Sequence, residues 1–486
     1  MNKTKDYSKY FSPSMKDARK RKGIEVQTID YKLDDDKKHL GDGLKYHLKT
    51  YGCQGNLADS EKLAGMLEQM GYTETLDDSD ADVIIFNTCA IRANAENRVF
   101  GELGRIKGLK KKRPNLVFGL CGCMMQEEET VRMIREKYPY VDLIFGTHNI
   151  ASLPQYIAEI VNNDYNKRVA EVFSVEGDIY EGVPQKRDHP YKAWVNIMYG
   201  CDEFCTYCIV PYTRGKERSR DKDAIIKEVE ELASKGYQEV TLLGQNVNAY
   251  GKDFQDMNYT FADLLQDLQK TAIKRVRFTT SHPRDLDDKT IEIMASRGNI
   301  MPSLHLPVQS GSNEILKRMN RKYTKEEYLE KIKKLKTLIP DISITTDIIV
   351  AFPGESEEDF NETLSLVREV QYEGAYTFIY SPREGTPAAS YPNALSEDEK
   401  KERLLKLNKV VNEYYLKGNK RFENTVVEVL VEGPSKNNPE MMSGYSAHNK
   451  LVNFKGSSDL IGKIVNVKIT KAYSWHLLGE LCEENI

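Results

Sequence analysis

Residues 192–208 read KAWVNIMYGCDEFCTYC: a short run of β-forming residues, a glycine, then three cysteines spaced C-x3-C-x2-C. The run predicts a strand that ends in a tight, thiol-rich loop. Downstream, strand-like segments alternate with amphipathic helices: EVTLLGQ (239–245), RVRFTTS (275–281), SLHLPVQ (303–309), SITTDIIV (343–350) and AYTFIYS (375–381), with DAIIKEVEELASKG and KEEYLEKIKKLKTL among the helices between them. Six such βα units are too few for a closed eightfold barrel and predict an open, three-quarter parallel barrel. The charged helix SEDEKKERLLKLNKVVNEYYLKG ends this domain, placed at 191–420.

Upstream, the same alternation occurs in YHLKTY (46–51), ADVIIFNT (81–88), LVFGLCG (116–122) and VDLIFG (141–146), each followed by a helical pattern. It predicts an α/β domain over 44–166 with a parallel sheet covered on both faces. Residues 167–190, broken by Gly182, Pro184 and Pro190, are expected to be a linker, and the polar, lysine-rich 1–43 a poorly ordered extension. From 421 to 486, TVVEVLVEG, GYSAHNKLVNF, IGKIVNVKIT and SWHLLGEL are short β segments between Gly, Pro and Asn, predicting a small antiparallel β-barrel.

The composition narrows the function. The chain has 486 residues, 40% hydrophobic and 30% charged, and a formal charge of −4. That balance does not announce a nucleic-acid binder, no apolar run reaches the ~20 residues of a membrane span, and the N-terminus lacks a hydrophobic signal core. A cytoplasmic, membrane-free protein is expected, in which clustered cysteines read as metal ligands or catalytic thiols.

Cys201, Cys205 and Cys208 can hold three corners of a 4Fe-4S cube, because thiolate is its preferred ligand. With no fourth cysteine nearby, one iron is left open to an external ligand. Structural zinc would want a second cysteine pair, and none lies near in sequence. A second set is dispersed: Cys53 in TYGCQGN, Cys89 in NTCAIR and Cys123 in LCGC, 36 and 34 residues apart, each just past a predicted strand of the N-terminal sheet. Carboxyl ends of parallel strands share one edge, so these three can converge there. Cys121 competes with Cys123, since strand alternation points both to one side. Cys482 stands alone and reads as structural.

These residues together resemble the methylthiotransferase family of radical S-adenosylmethionine enzymes, from about residue 45 onward. KTYGCQGN, NTCAIR and GCM look like its auxiliary-cluster loops, whose ligands map onto Cys53, Cys89 and Cys123, although Cys121 stands where the family usually has a small residue. GCDEFCTYCIVPYTRGKERSR, LLGQNVNAYG, FTTSHP, HLPVQSG and DIIVAFPGE look like its radical domain, and the tail resembles a TRAM domain. The resemblance is nearest to the branch acting on tRNA that carries isopentenyladenosine 3′ of the anticodon. It implies two 4Fe-4S clusters and a methylthio group placed on carbon 2 of that adenine, with S-adenosylmethionine as methyl donor and radical source. It implies as partners the tRNA anticodon stem-loop, an electron donor protein and a sulfur source; the chain is expected to be a monomer.

Gln245, Asn246, Gln309, Ser310, Asp347 and Phe352, at strand ends of the central barrel, are candidate contacts for S-adenosylmethionine or base. His305 is expected to be packed. Arg214, Lys216, Arg218 and Arg220 of RGKERSR, beside the cysteine loop, are candidate RNA contacts, and GRIKGLKKKR (104–113) is either a solvated helix end or a phosphate contact. The alternatives are a sister methylthiotransferase acting on threonylcarbamoyl-adenosine in tRNA or on a ribosomal-protein aspartate, and a zinc-dependent RNA-binding protein.

Overall fold

Buried β-branched and aromatic runs organise both parts of the chain. The computed structural model describes residues 26–90, 93–173, 178–255 and 257–482. Most of the polar extension, residues 1–25, lies outside the described residues. Two units result: one runs to Asp188 and takes in 199–204 and 208–220; the other holds 189–198, 205–207 and everything from Asp221.

In the first unit six strands form a parallel sheet in the order Thr73–Glu74, Lys45–Tyr51, Val83–Thr88, Val117–Gly122, Leu143–Phe145, Val169–Glu171. The central pair, VIIFNT and VFGLCG, is buried at every position, as a strand covered on both faces must be. Helices Gln54–Gln69 and Leu153–Val161 cover one face through Leu63, Met66, Leu67 and Ile157. Ala93–Lys112 and Glu128–Lys137 cover the other through Val99, Leu103, Val131 and Ile134.

Two expectations fail here. The segment 167–190 is no linker: Val169–Glu171 is an edge strand, and Ile179–Glu181 pairs in parallel with Thr28–Asp30. Arg187 and the backbone N–H of Asp188 both bond the buried Glu61 carboxylate, fixing the segment to the sheet's helix. Nor is the extension wholly loose, because Leu33 is buried in the sheet's core, with Tyr31 and Leu40 packed against it.

In the second unit the six expected barrel strands form two parallel trios. These are Lys192–Asn196, Glu239–Leu243, Arg275–Phe278 and Ser303–His305, Ser343–Val350, Gly374–Ile379. Helix starts are written into the sequence as capping boxes. Thr260, Thr324, Ser356 and Ser396 accept from the backbone three residues on, while Asp263, Glu327, Asp359 and Glu399 reach back.

The tail closes a five-stranded barrel, Val426–Pro434, Met441–Ser446, Leu451–Lys455, Leu477–Leu481, Ile464–Ala472. One pair departs from the expected antiparallel pattern: Leu451–Lys455 runs parallel to Leu477–Leu481. The fourth strand in sequence crosses over to close on the first, so the last returns parallel to the third. This barrel sits on the N-terminal ends of the larger barrel's strands. Arg275 donates to Tyr445 and Glu428 carbonyls at 2.9 and 3.0 Å, and Arg277 to those of Ala447 and Ser446 at 2.9 and 2.7 Å. Burial draws the Arg275 pKa down to about 10, with Glu239 opposing. No described helix is long and apolar enough to cross a membrane.

Candidate active site

Register builds the dispersed cysteine set. Tyr51 lies opposite Thr88, and Thr88 opposite Gly122, so three adjacent strands end flush. Cys53 follows by two residues, Cys89 and Cys123 by one, and all three emerge at the carboxyl edge. A buried amide network ties these ends together. Asn56 donates to the Asn87 side chain and the Thr88 carbonyl, both at 3.0 Å, and Asn87 returns a 2.8 Å bond to the Asn56 carbonyl. Asn56 also accepts from the Cys53 thiol at 3.3 Å. These asparagines were missed in the sequence, although both stand inside its cysteine motifs, QGN and NTC.

The structure separates Cys121 from Cys123. Cys121 stays in the sheet, packed in the core with Leu63 and Met66. Gly122 then adopts φ of 94°, where a side chain would meet the Asn87 amide and the Thr88 carbonyl at 2.4 Å. The turn sends Cys123 out of the sheet into a separate cluster with Ala90, Ile209 and Tyr212. Burial pushes the Cys123 thiol up to about 12; Arg214 opposes this, and Cys89 and Cys53 add to it. Buried thiols that hinder one another's ionisation fit a cationic, thiophilic centre, which would take them as thiolates.

Arg214 is the further member of this site. Its Nη2 donates to Asp59 at 2.6 Å and its Nε to the Cys123 sulfur at 3.3 Å, with 7% of the residue exposed. Desolvation pulls the guanidinium's pKa down, but Asp59 and the thiols of Cys123 and Cys53 outweigh it and hold it charged.

The loop 201–208 has its middle fixed in the second unit. The Thr206 N–H donates to the Met319 carbonyl at 3.0 Å and its hydroxyl to that of Arg318 at 2.9 Å. Arg321 donates to the Cys205 sulfur at 3.3 Å, to the Pro307 carbonyl at 2.9 Å and to Tyr323 at 3.0 Å. In the first unit, Cys201 donates its N–H to the Gly215 carbonyl at 3.0 Å. All eight cysteines are free thiols.

Past the carboxyl ends of the barrel strands, several buried side-chain oxygens lack a hydrogen-bond partner among the described residues: Asn246 Oδ1, Thr279 Oγ1, Ser281 Oγ and Gln309 Oε1. Orphaned polar atoms at such a mouth suit a polar ligand such as S-adenosylmethionine. Thr279 and Ser281 were not singled out as site residues, though FTTSHP contains them.

Other expected contacts are placed differently. Phe352 is fully buried, packed edge-on against Tyr380 and Tyr391, and has no free face for an adenine. Ser310 is engaged within the fold, 3.3 Å from the Thr363 hydroxyl and accepting from the Ser312 N–H. Asp347 lies 3.4 Å from His305, and Gln245 is half-buried. The basic run is corrected most. Arg220 forms a buried pair with Glu181 at 2.5 Å, Arg218 bonds the Arg214 carbonyl and lies over Tyr199, and Arg214 is engaged as above. Only Lys216 of the four is half-buried rather than buried. In GRIKGLKKKR, Arg105, Lys110 and Arg113 pair with Asp78, Asp142 and Asp82.

The Radical SAM superfamily profile matches residues 195–367, that of the uncharacterized protein family UPF0004 matches 45–146, and that of the TRAM domain 420–482. A radical S-adenosylmethionine methyltransferase from Kitasatospora setae, TsrM, shares the fold at a TM-score of 0.51 and 13% identity, over 71% of this chain and 74% of that one. Fold and cysteine loop together define a radical S-adenosylmethionine enzyme, a class that implies a 4Fe-4S cluster and S-adenosylmethionine. The tRNA-2-methylthio-N(6)-dimethylallyladenosine synthase of Bacillus subtilis (strain 168) is 57% identical over 99% of this chain and 96% of its own. That of Geobacillus kaustophilus (strain HTA426) is 56% identical over 99% and 92%. The chain belongs to the tRNA-2-methylthio-N(6)-dimethylallyladenosine synthase family.

Proposed function

We propose that this chain carries out the reaction its family is named for, placing a methylthio group on carbon 2 of N(6)-dimethylallyladenosine beside the tRNA anticodon, with two clusters. Cys201, Cys205 and Cys208 would hold the cluster that takes S-adenosylmethionine at its open iron, and Cys53, Cys89 and Cys123 an auxiliary cluster. When bound, the clusters and S-adenosylmethionine supply the radical and sulfur chemistry that an unreactive aromatic C–H bond requires. The observation carrying the second assignment is the flush ending of three adjacent strands, which sets three thiols at one sheet edge, backed by Arg214.

The chain's own groups bind and orient. Asn246, Thr279, Ser281 and Gln309 offer the orphaned oxygens that polar groups of S-adenosylmethionine would engage, while Asp347, beside His305, is the remaining candidate from the fifth strand. The target adenine must leave the anticodon-loop stack, a cost of a few kcal/mol that is lowest for loop bases. Lys216, half-buried where the three arginines of RGKERSR are buried, is the proposed phosphate contact. Electrons and sulfur atoms must come from outside, from a donor protein and a sulfur source. Each cysteine set is complete in one chain, which supports a monomer, and free thiols with a tRNA substrate support a cytoplasmic enzyme.

The test is iron and sulfide content after anaerobic reconstitution, beside nucleoside analysis of tRNA from a deletion strain. About eight irons per chain are expected, falling to about four in either triple-alanine variant. Methylthiolated dimethylallyladenosine should disappear in the deletion strain. About four irons falling to none in the Cys201/Cys205/Cys208→Ala variant would remove the auxiliary cluster. Loss of methylthiolated threonylcarbamoyl-adenosine instead would move the substrate to the sister branch.

A further inference from the structure

The pair Arg214–Asp59 is costly as mere structure. Both side chains are more than nine-tenths buried, and a hydrophobic pair of similar volume would fill the space without desolvating two charges. The main chain that carries the guanidinium is also fixed. Arg214 caps the short helix Val210–Thr213 through its N–H to the Val210 carbonyl at 2.8 Å, and its own carbonyl accepts from Arg218 at 3.1 Å. Tyr212 of that helix packs in the same small cluster as Cys123. With that backbone held and Nη2 bonded to Asp59, the guanidinium is kept against the sulfur it touches.

We infer that Arg214 and Asp59 act in opposition to set the reduction potential of the cluster at Cys53, Cys89 and Cys123. The inference rests on the reading of those three cysteines as cluster ligands. Reduction adds an electron to a centre ringed by thiolates. A guanidinium at 3.3 Å from one ligand sulfur, where water screens little, favours the reduced form. Asp59, at 2.6 Å on the guanidinium's other arm, withdraws part of that charge. Arg214 is thus a positioning residue that raises the potential, and Asp59 the group that limits the rise. Lysine is no equivalent, since a compact ammonium lacks the rigid planar fork that spans the carboxylate through Nη2 and the sulfur through Nε.

The experiment uses the full chain with Cys201/Cys205/Cys208→Ala, so that only the auxiliary cluster reports, and follows its signal by electron paramagnetic resonance in a poised redox titration. Arg214→Gln should move the potential negative and Asp59→Asn positive, each by at least a tenfold change in the reduction equilibrium, 59 mV for one electron. Arg214→Lys should fall between Arg214→Gln and the parent. Shifts of the same sign, or potentials equal to the parent's at full iron content, would overturn the inference. So would iron loss in both Arg214→Gln and Arg214→Lys, which would assign the pair to holding the site together. Failure of the underlying reading is separate: iron unchanged in Cys53/Cys89/Cys123→Ala would show that no cluster stands there.

Discussion

Two buried arginines each touch a cysteine sulfur at 3.3 Å, and they are balanced differently. Arg214 shares its charge with the Asp59 carboxylate. Arg321, also buried, gives its hydrogen bonds to a carbonyl, two tyrosine hydroxyls and Cys205, and lies over the Tyr323 ring. One guanidinium is held in check by a carboxylate and the other is satisfied by neutral oxygens. The cysteines differ in parallel: one set comes from eight consecutive residues, the other is assembled by a sheet from residues seventy apart. A centre made by a loop and one made by a fold should respond differently to the same insult.

The largest effect separates the two sets at once. Either triple-alanine variant should abolish methylthiolated nucleoside, measured by mass spectrometry of tRNA, while each keeps the other set's iron. Joint loss of both irons would erase the distinction. Phe118→Ala comes next. Phe118 is fully buried beneath the sheet, edge-on to Phe86 at 5.1 Å, and its loss should cost about 3–5 kcal/mol in denaturant melts. Iron should leave the sheet-built site first, leaving that of the loop. Arg321→Met should lower the loop cluster's potential further than Arg214→Gln lowers the auxiliary one, since among the described residues no carboxylate is hydrogen-bonded to Arg321; an equal or smaller drop in a redox titration would break the comparison.

Cys121→Ala tests the boundary of the set. It should cost about 1 kcal/mol and leave iron unchanged, whereas Cys123→Ala should lose auxiliary iron. The smallest effect is a pH one in the second unit. Burial would raise the Asp341 pKa, but Arg297 and His448 outweigh it and lower it to about 2. A folded pKa below the unfolded value gives stability that is present above about pH 4 and lost as pH falls toward 2. Acid melts of Asp341→Asn should show less of that loss.

The sequence carried this architecture unevenly. All six barrel strands and the three thiol-bearing strand ends were legible, because alternating periodicity and capping boxes are local signals. The short pair Thr28–Asp30 and Ile179–Glu181 was not, for three polar-flanked residues carry no period, and their partners lie far apart in sequence. RGKERSR read as a set of RNA contacts because Asp59, 155 residues from Arg214, and Glu181, 39 from Arg220, are invisible to a local window. Strand alternation alone could not tell Cys121 from Cys123; the resemblance favoured Cys123, and the backbone at Gly122, which leaves the strand, separates the two. Phe352 looked available at a strand end, yet the aromatic pocket that encloses it is assembled from Tyr380 and Tyr391.

The seating of the tail barrel bears on how its contribution to activity can be studied. Arg275 and Arg277 reach across from the larger barrel to main-chain carbonyls at 428 and 445–447, and Glu373 receives both Arg421 and Lys450. Cutting the gene after 420 would strip those guanidiniums of their acceptors and open the base of the catalytic barrel. A truncated enzyme that no longer modifies tRNA would therefore report a damaged catalyst, and what the tail contributes has to be mapped one surface side chain at a time.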